Sequence, residues 1–190
     1  RSQGAARRSR HPSLRVREVS AGQAIPLPPP GALPASAGVG APAALKVELI
    51  DDPAALERLR PTWEVLNAAG QDHESAFFLS HAWTSHVAKV RHGGAHRDWR
   101  MCVAVVRVGG DIAGIWPLCI VRSGGLKVAR CLDDPFGQFA GVIFADRALI
   151  GPGVQAVLAA LRRTGTADCA AIDHVVVGTP LHDALIQAGA

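Results

Sequence analysis

No stretch of this sequence stays apolar for the roughly 18–20 residues that a membrane-spanning helix needs. The N-terminus also lacks the apolar core of a secretory signal. Cysteine is scarce, with residues at 102, 119, 131 and 169, and no two form a C-x-x-C pair. That spacing excludes a zinc knuckle and a dithiol redox motif. Each Cys lies in an apolar run, where a small buried hydrophobe is the expected role. With no secretory signal, reduced thiols in a cytoplasm follow. There is no G-x-S-x-G elbow, so a serine hydrolase has no support. His92 and His96 have H-x-x-x-H spacing, but Gly93 and Gly94 break the helix that would bring both rings to one face, so no metal is expected.

What charge there is lies unevenly. Residues 1–44 hold six Arg (1, 7, 8, 10, 15 and 17) against Glu18, a net of +5; with +4 overall, residues 45–190 carry −1. The basic balance therefore belongs to the tail, and nucleic-acid binding by the remainder loses its main electrostatic support. Composition alone would allow a transit peptide, but the prolines between 26 and 34 interrupt any long amphipathic helix. Residues 21–44 are mostly Ala, Gly, Pro and Ser, too poor in large apolar groups to offset the entropy of ordering. The expected organisation is a disordered Arg/Pro-rich tail and linker over 1–44, then one domain over 45–190. The first residue is Arg1 rather than Met, so the start is expected upstream.

Alternation over 45–50 predicts a half-buried strand. Asp52 and Pro53 then suit the N-cap and first position of a helix bearing Leu56, Leu59, Trp63 and Leu66 on one face. Pro61 calls for a kink or a break into two short helices. Ser80 caps a further helix with Trp83, Val87 and Val90 on its apolar side. From Trp99 the period becomes two: a strand over 100–108, a turn at Gly109-Gly110-Asp111, its antiparallel partner over 112–121, and a third strand over 126–132. Pro117 interrupts the middle strand and asks for a bulge or an edge position. A short strand over 141–145, a helix from 150 to 163, a strand over 170–177 and a helix from Pro180 complete the chain. This is a mixed, largely antiparallel α/β sheet flanked by helices, expected to need at least one more strand beyond Ala190.

Four passages resemble a known family. They are Phe77-Phe78-Leu79-Ser80-His81-Ala82-Trp83; the strand ending Gly114-Ile115-Trp116-Pro117-Leu118; the turn and strand over 122–132, similar to R-x-G-G-L-x-x-x-R-x-L; and Asp134-Pro135-Phe136-Gly137-Gln138-Phe139-Ala140-Gly141. Together with the element order they are similar to CelD-like and FemAB-like acyl-CoA N-acyltransferases of the GNAT type. The resemblance implies transfer of an acyl group from acyl-CoA, acetyl-CoA first, to an amine on a small molecule or saccharide, with a link to cellulose or exopolysaccharide production. It further implies that CoA is held mainly by a second domain, expected beyond this chain. The alternative is then a non-catalytic acceptor-binding half. Phe139 and Gly141 stand where the family usually shows Tyr and Asp, which reduces the loop's polar substrate-binding candidates to Asp134 and Gln138; Trp83, beside His86, is a further candidate as a cleft wall, with core as its alternative.

Amide formation needs a placed amine, a proton acceptor and hydrogen bonds to the oxyanion. Asp133, Asp134, Asp173 and His174 are the available bases, although Asp133-Asp134-Pro135 also suits a plain turn and Asp173 and His174 would face opposite sides of a strand. No catalytic residue emerges. Arg162 to Ala167 fits a phosphate-binding turn by letter but lies at the wrong end of its helix. Gly151-Pro152-Gly153 precedes that helix, yet Pro152 removes a donor amide. Trp63 and Trp116 read as core, Trp99 as partly exposed.

Overall fold

A computed structural model of the chain describes residues 25–26, 44–70, 76–92 and 98–189. Of the segment read as tail and linker, only Ile25, Pro26 and Ala44 are among them. The described residues form a seven-stranded sheet with helices on both faces. Strands β1 (Ile25–Pro26) and β2 (Lys46–Ile50) precede three helices: α1 (Pro53–Arg58), α2 (Arg60–Gly70) and α3 (His81–His92). A meander follows: β3 (Trp99–Val108), β4 (Asp111–Ser123), β5 (Leu126–Cys131) and the short β6 (Ile143–Phe144). A 3-10 turn over Arg147–Leu149 leads into α4 (Ile150–Arg163), then β7 (Cys169–Ala170) and α5 (Pro180–Gly189). The spatial order is β1-β7-β5-β4-β3-β2, with β6 also on β4. All pairings are antiparallel except β5 with β7, which is parallel. No helix among the described residues is long and apolar enough to cross a membrane.

A period of two was expected from Trp99, yet β3 and β4 are buried at successive positions, and the two covered faces explain why. Met101, Val103, Val105 and Ile115 bury against Leu56, Leu59, Trp63 and Leu66 of the first helices. Cys102, Ala104, Val106, Trp116 and Leu118 turn the other way, onto Val154, Leu158 and Leu161 of α4 and Leu181 and Leu185 of α5. A sheet covered on both sides needs apolar residues at every position, not at alternate ones. Trp63 and Trp116 are enclosed, as read from the sequence, and burial of a side chain of that size contributes on the order of 3 kcal/mol. Cys102, Cys119 and Cys169 are buried and Cys131 partly so, all as free thiols. Burial pushes the Cys102 thiol up to about 11 and Cys119 to about 12.

Local chemistry sets the helix boundaries. The Asp52 carboxylate accepts from the amides of Ala54 and Ala55, with Pro53 at the first position of α1. The break expected from Pro61 falls at Leu59, which caps α1 before α2 begins. At the end of α4, Gly165 takes φ +61 and donates to Arg162 O, while Thr166 donates to Leu161 O. This is the left-handed glycine stop that closes helices, so Arg162 to Ala167 is a terminator and not a phosphate turn.

Four expectations need correction. The strand expected over 170–177 shrinks to Cys169–Ala170. After Ala171 donates to Ala129 O, the chain leaves β5, and His174 adopts φ +58 with its carbonyl accepting from Ala140 N. Val90 is 59 % exposed, because α3 turns His81, Thr84 and Ser85 inward instead. Gly151-Pro152-Gly153 does not precede α4 but forms its first turn, and Phe144 packs where a Gly153 side chain would stand. Pro117 sits at neither a bulge nor an outer edge: the register shift of this hairpin falls beside Val106. Instead, β4 has two successive partners on one side, β5 along residues 118–123 and β6 at 114–115. Pro117 lies at the change-over, with its carbonyl accepting from Leu132 N on that side. Its missing amide therefore faces the point where no strand is paired.

Candidate functional site

The change-over at Pro117 releases a loop, residues 132–142, between the C-terminal end of β5 and β6. It lies against the start of α3 on one side and the chain after β7 on the other. β5 and β7 run parallel at Val128 opposite Cys169 and Ala129 opposite Ala170, and part beyond that point. Their carboxyl ends thus flank the loop, the position where open α/β sheets usually hold ligands.

Turn geometry aims the carboxylates. Phe136 and Gly137 both donate to Asp133 O, closing the chain over Asp133. The Asp134–Pro135 peptide is cis. A Cβ at Gly137 would come within 2.1 Å of Asp133 Oδ2, so a larger residue there would push the carboxylate aside. The Asp133 carboxylate accepts from Trp83 Nε1 at 3.2 Å. Burial holds its pKa above the ordinary carboxylate range, the Trp83 bond acting in the opposite direction. Asp134 is different: Arg130 Nη1 lies 2.7 Å from its carboxylate and 3.5 Å from that of Asp173. Arg91, from the last turn of α3, donates to Asp134 O at 2.8 Å and lies over the Phe136 ring at 5.1 Å. Arg130 therefore serves both the Asp134 and the Asp173 carboxylates. Among the described residues no cation lies within ion-pair distance of Asp133.

Two small crevices open here, sharing Cys131, Asp133 and Phe139. One, with room for about one water molecule, runs toward α3 between Phe78, Leu79, Thr84 and Pro117. The other, equally narrow, runs toward Ala171, Asp173 and His174. Phe77, Phe78, Trp83 and Phe139 make a chain of ring contacts along the first, with centroids 5.3–6.4 Å apart. His86 stacks on Trp83 at 6.3 Å. A larger hollow of about 340 Å³ lies elsewhere, between Val47, Leu49, Met101 and Cys102 and the end of α4, with Arg100 and Arg163 on its rim. It holds none of the candidate bases, and its arginines are exposed.

Of the residues singled out from sequence, Trp83 and Asp134 both reach the loop, but they serve Asp133 and Arg130 respectively. Gln138 is exposed on the same loop and lines neither crevice. Asp133, named from sequence among the available bases although Asp133-Asp134-Pro135 also suited a plain turn, is the group on which the site converges. His174 and Asp173 sit across the second crevice from it. His96 lies outside the described residues, so the His92 and His96 spacing has no geometry here. Among the described residues no group of three or more His, Cys, Asp or Glu could hold a metal ion.

No family model, curated protein or solved structure matches this chain.

Proposed function

We propose that this chain is an N-acyltransferase domain, acting in the cytoplasm, that moves an acyl group from acyl-CoA to an amine. The reading joins the resemblance to CelD-like and FemAB-like proteins with one observation: a partly dehydrated carboxylate, Asp133, at the carboxyl ends of a diverging parallel strand pair. In this reading the amine nitrogen attacks the thioester carbonyl, the C–S bond breaks, and the thiolate leaves as CoA. Asp133 accepts the amine's proton, a task favoured by a carboxylate whose pKa is moved toward neutrality. The β5–β7 ladder ends once the Ala171 amide has donated to Ala129 O, and in this reading an amide-bearing chain such as pantetheine enters beyond that bond.

A second reading is a non-catalytic half that binds the acceptor for a catalytic domain elsewhere. The first turn of α4 favours it. Pro152 lacks an amide, and Leu149 caps the helix with no side-chain bond, so the turn is a poor cradle for a pyrophosphate. Calorimetric titration of the chain with acetyl-CoA separates the two. The transferase reading expects saturable binding below millimolar ligand. No heat up to millimolar acetyl-CoA would sink it and leave the acceptor-binding half.

A further inference from the structure

Strand β2 forms one edge of the sheet, and among the described residues it pairs with β3 alone. The main-chain donors and acceptors of such an edge can bond a further strand. Leu45, just ahead of the strand, Val47 and Leu49 share one face, pack onto the α4 side of the core and stay only partly buried. The hollow of about 340 Å³ opens beside Val47 and Leu49. The apolar row is therefore unfinished toward this edge.

The two charges of β2 lie on the opposite face and are unequally served. Arg107 donates to Glu48 Oε2 from Nη2 at 3.1 Å and from Nε at 3.2 Å, while the Glu48 side chain remains 52 % exposed. Lys46 stands directly opposite Arg107 in the β2–β3 register, a like-charge pairing that costs stability. No carboxylate among the described residues lies within ion-pair distance of Lys46.

The sequence in register says what fits here. A second copy laid antiparallel along β2 keeps its apolar residues on the apolar face only in every other register. Centred on Glu48, two carboxylates would face each other; centred on Lys46, two ammonium groups would. Centred on Leu49, Val47 would meet the partner's Asp51. Centred on Val47, Lys46 meets the partner's Glu48 and Glu48 meets the partner's Lys46. Leu45 then meets the partner's Leu49, and Val47 meets the partner's Val47. Every charge finds its opposite, and the apolar row runs unbroken across the junction. The partner's Leu45 stands next to Leu49, beside the hollow.

We infer that β2 is the edge across which two copies of this chain pair antiparallel, about a two-fold axis at Val47, joining their sheets into one. Such an interface is isologous, each copy offering the same patch. The paired stretch, residues 45–49, spans only about 17 Å. An interface of that extent is small, so a reversible dimer with micromolar dissociation is expected. The inference is independent of the transferase reading, which concerns the loop over 132–142.

Sedimentation velocity on the full chain, from about 1 μM to about 1 mM, reads the monomer–dimer equilibrium. Lys46→Glu turns both charged crossings into like pairs and should weaken the dimer by about tenfold or more. Within its own chain that variant gains Arg107 as a partner, so a lost dimer is not a lost fold. Glu48→Lys should weaken the dimer likewise. Mixing the two variants restores opposite charges at both crossings, so the mixture should dimerise about as tightly as the parent while neither variant does so alone. A monomer at every concentration would overturn the inference and leave this edge to a different chain. A dimer unmoved by Lys46→Glu, or a mixture no tighter than either variant by itself, would overturn it too.

Discussion

Phe144 is held between two glycines, and that arrangement makes a prediction whose sign is not obvious. A methyl group at residue 153, in the first turns of α4, would stand 2.4 Å from Phe144 Cζ and 2.5 Å from Cε1. On the sheet side, a Cβ at Gly114, which pairs directly with Phe144, would meet the same ring at 2.4 Å. Carbon atoms prefer about 3.5–4.0 Å, so the ring would have to move by about 1 Å with β4 behind it. Two effects compete in Gly153→Ala. Replacing a helical glycine by alanine gains about 1 kcal/mol. Overpacking a closed core costs about 1–3 kcal/mol. Phe144 is 5 % exposed and blocked on both sides, so the cost should win, for a net loss of up to about 2 kcal/mol. In a Phe144→Leu background the clash is relieved, and Gly153→Ala should become neutral or stabilising. Urea unfolding followed by tryptophan fluorescence reads both, Trp63 and Trp116 being buried reporters. If Gly153→Ala stabilises the parent chain, or costs the same in both backgrounds, the packing argument is wrong.

Two further predictions rest on single side chains. His81→Ala removes a ring 2 % exposed that lies 3.0 Å from Leu56 O and edge-on to Trp63; a loss of about 2–4 kcal/mol is expected in urea unfolding, and a loss below about 1 kcal/mol would contradict it. Because burial raises the Asp133 pKa, the folded state binds that proton more tightly than the unfolded chain, and ionised Asp133 costs stability once pH exceeds the ordinary value of about 3.9. Asp133→Asn should therefore be more stable than the parent at pH 7, with the difference closing below about pH 4; an advantage that grows on acidification would refute the sign.

The elements were legible where local chemistry decides them. Asp52 with Pro53 starts a helix, Pro61 divides one, and Gly109-Gly110 turns a hairpin, because each acts through its own backbone. The two-sided burial of β3 and β4 was not legible: a period of two was expected from Trp99, whereas both strands are buried at successive positions. What stayed hidden depends on partners far along the chain. His81 turns inward to meet a carbonyl 25 residues earlier and a tryptophan on α2, so α3 buries a polar stripe that no apolar period marks. β7 ends early because His174 bends to meet Ala140, a contact that pattern cannot foresee. At the site, the loop and its carboxylates were located, but which of Asp133 and Asp134 would pair with a cation was not. Asp133 and Asp134 are chemically identical, and only the placement of Trp83 and Arg130 gives one a neutral donor and the other a cation.

The strand change-over at Pro117 has a consequence for how this molecule could diversify. If β5 simply continued, Asp134 would stand opposite Ile115; Ile143 holds that place instead. The loop thus departs from and returns to one edge of one strand, like a handle on a closed drawer. Its two ends are fixed by β4 whatever lies between them. Doubling the length of such a loop costs only about 0.6 kcal/mol in closure entropy. Residues 132–142 are accordingly a cassette: their length and side chains can be exchanged wholesale while the sheet keeps its register, and ligand preference can drift without renegotiating the core.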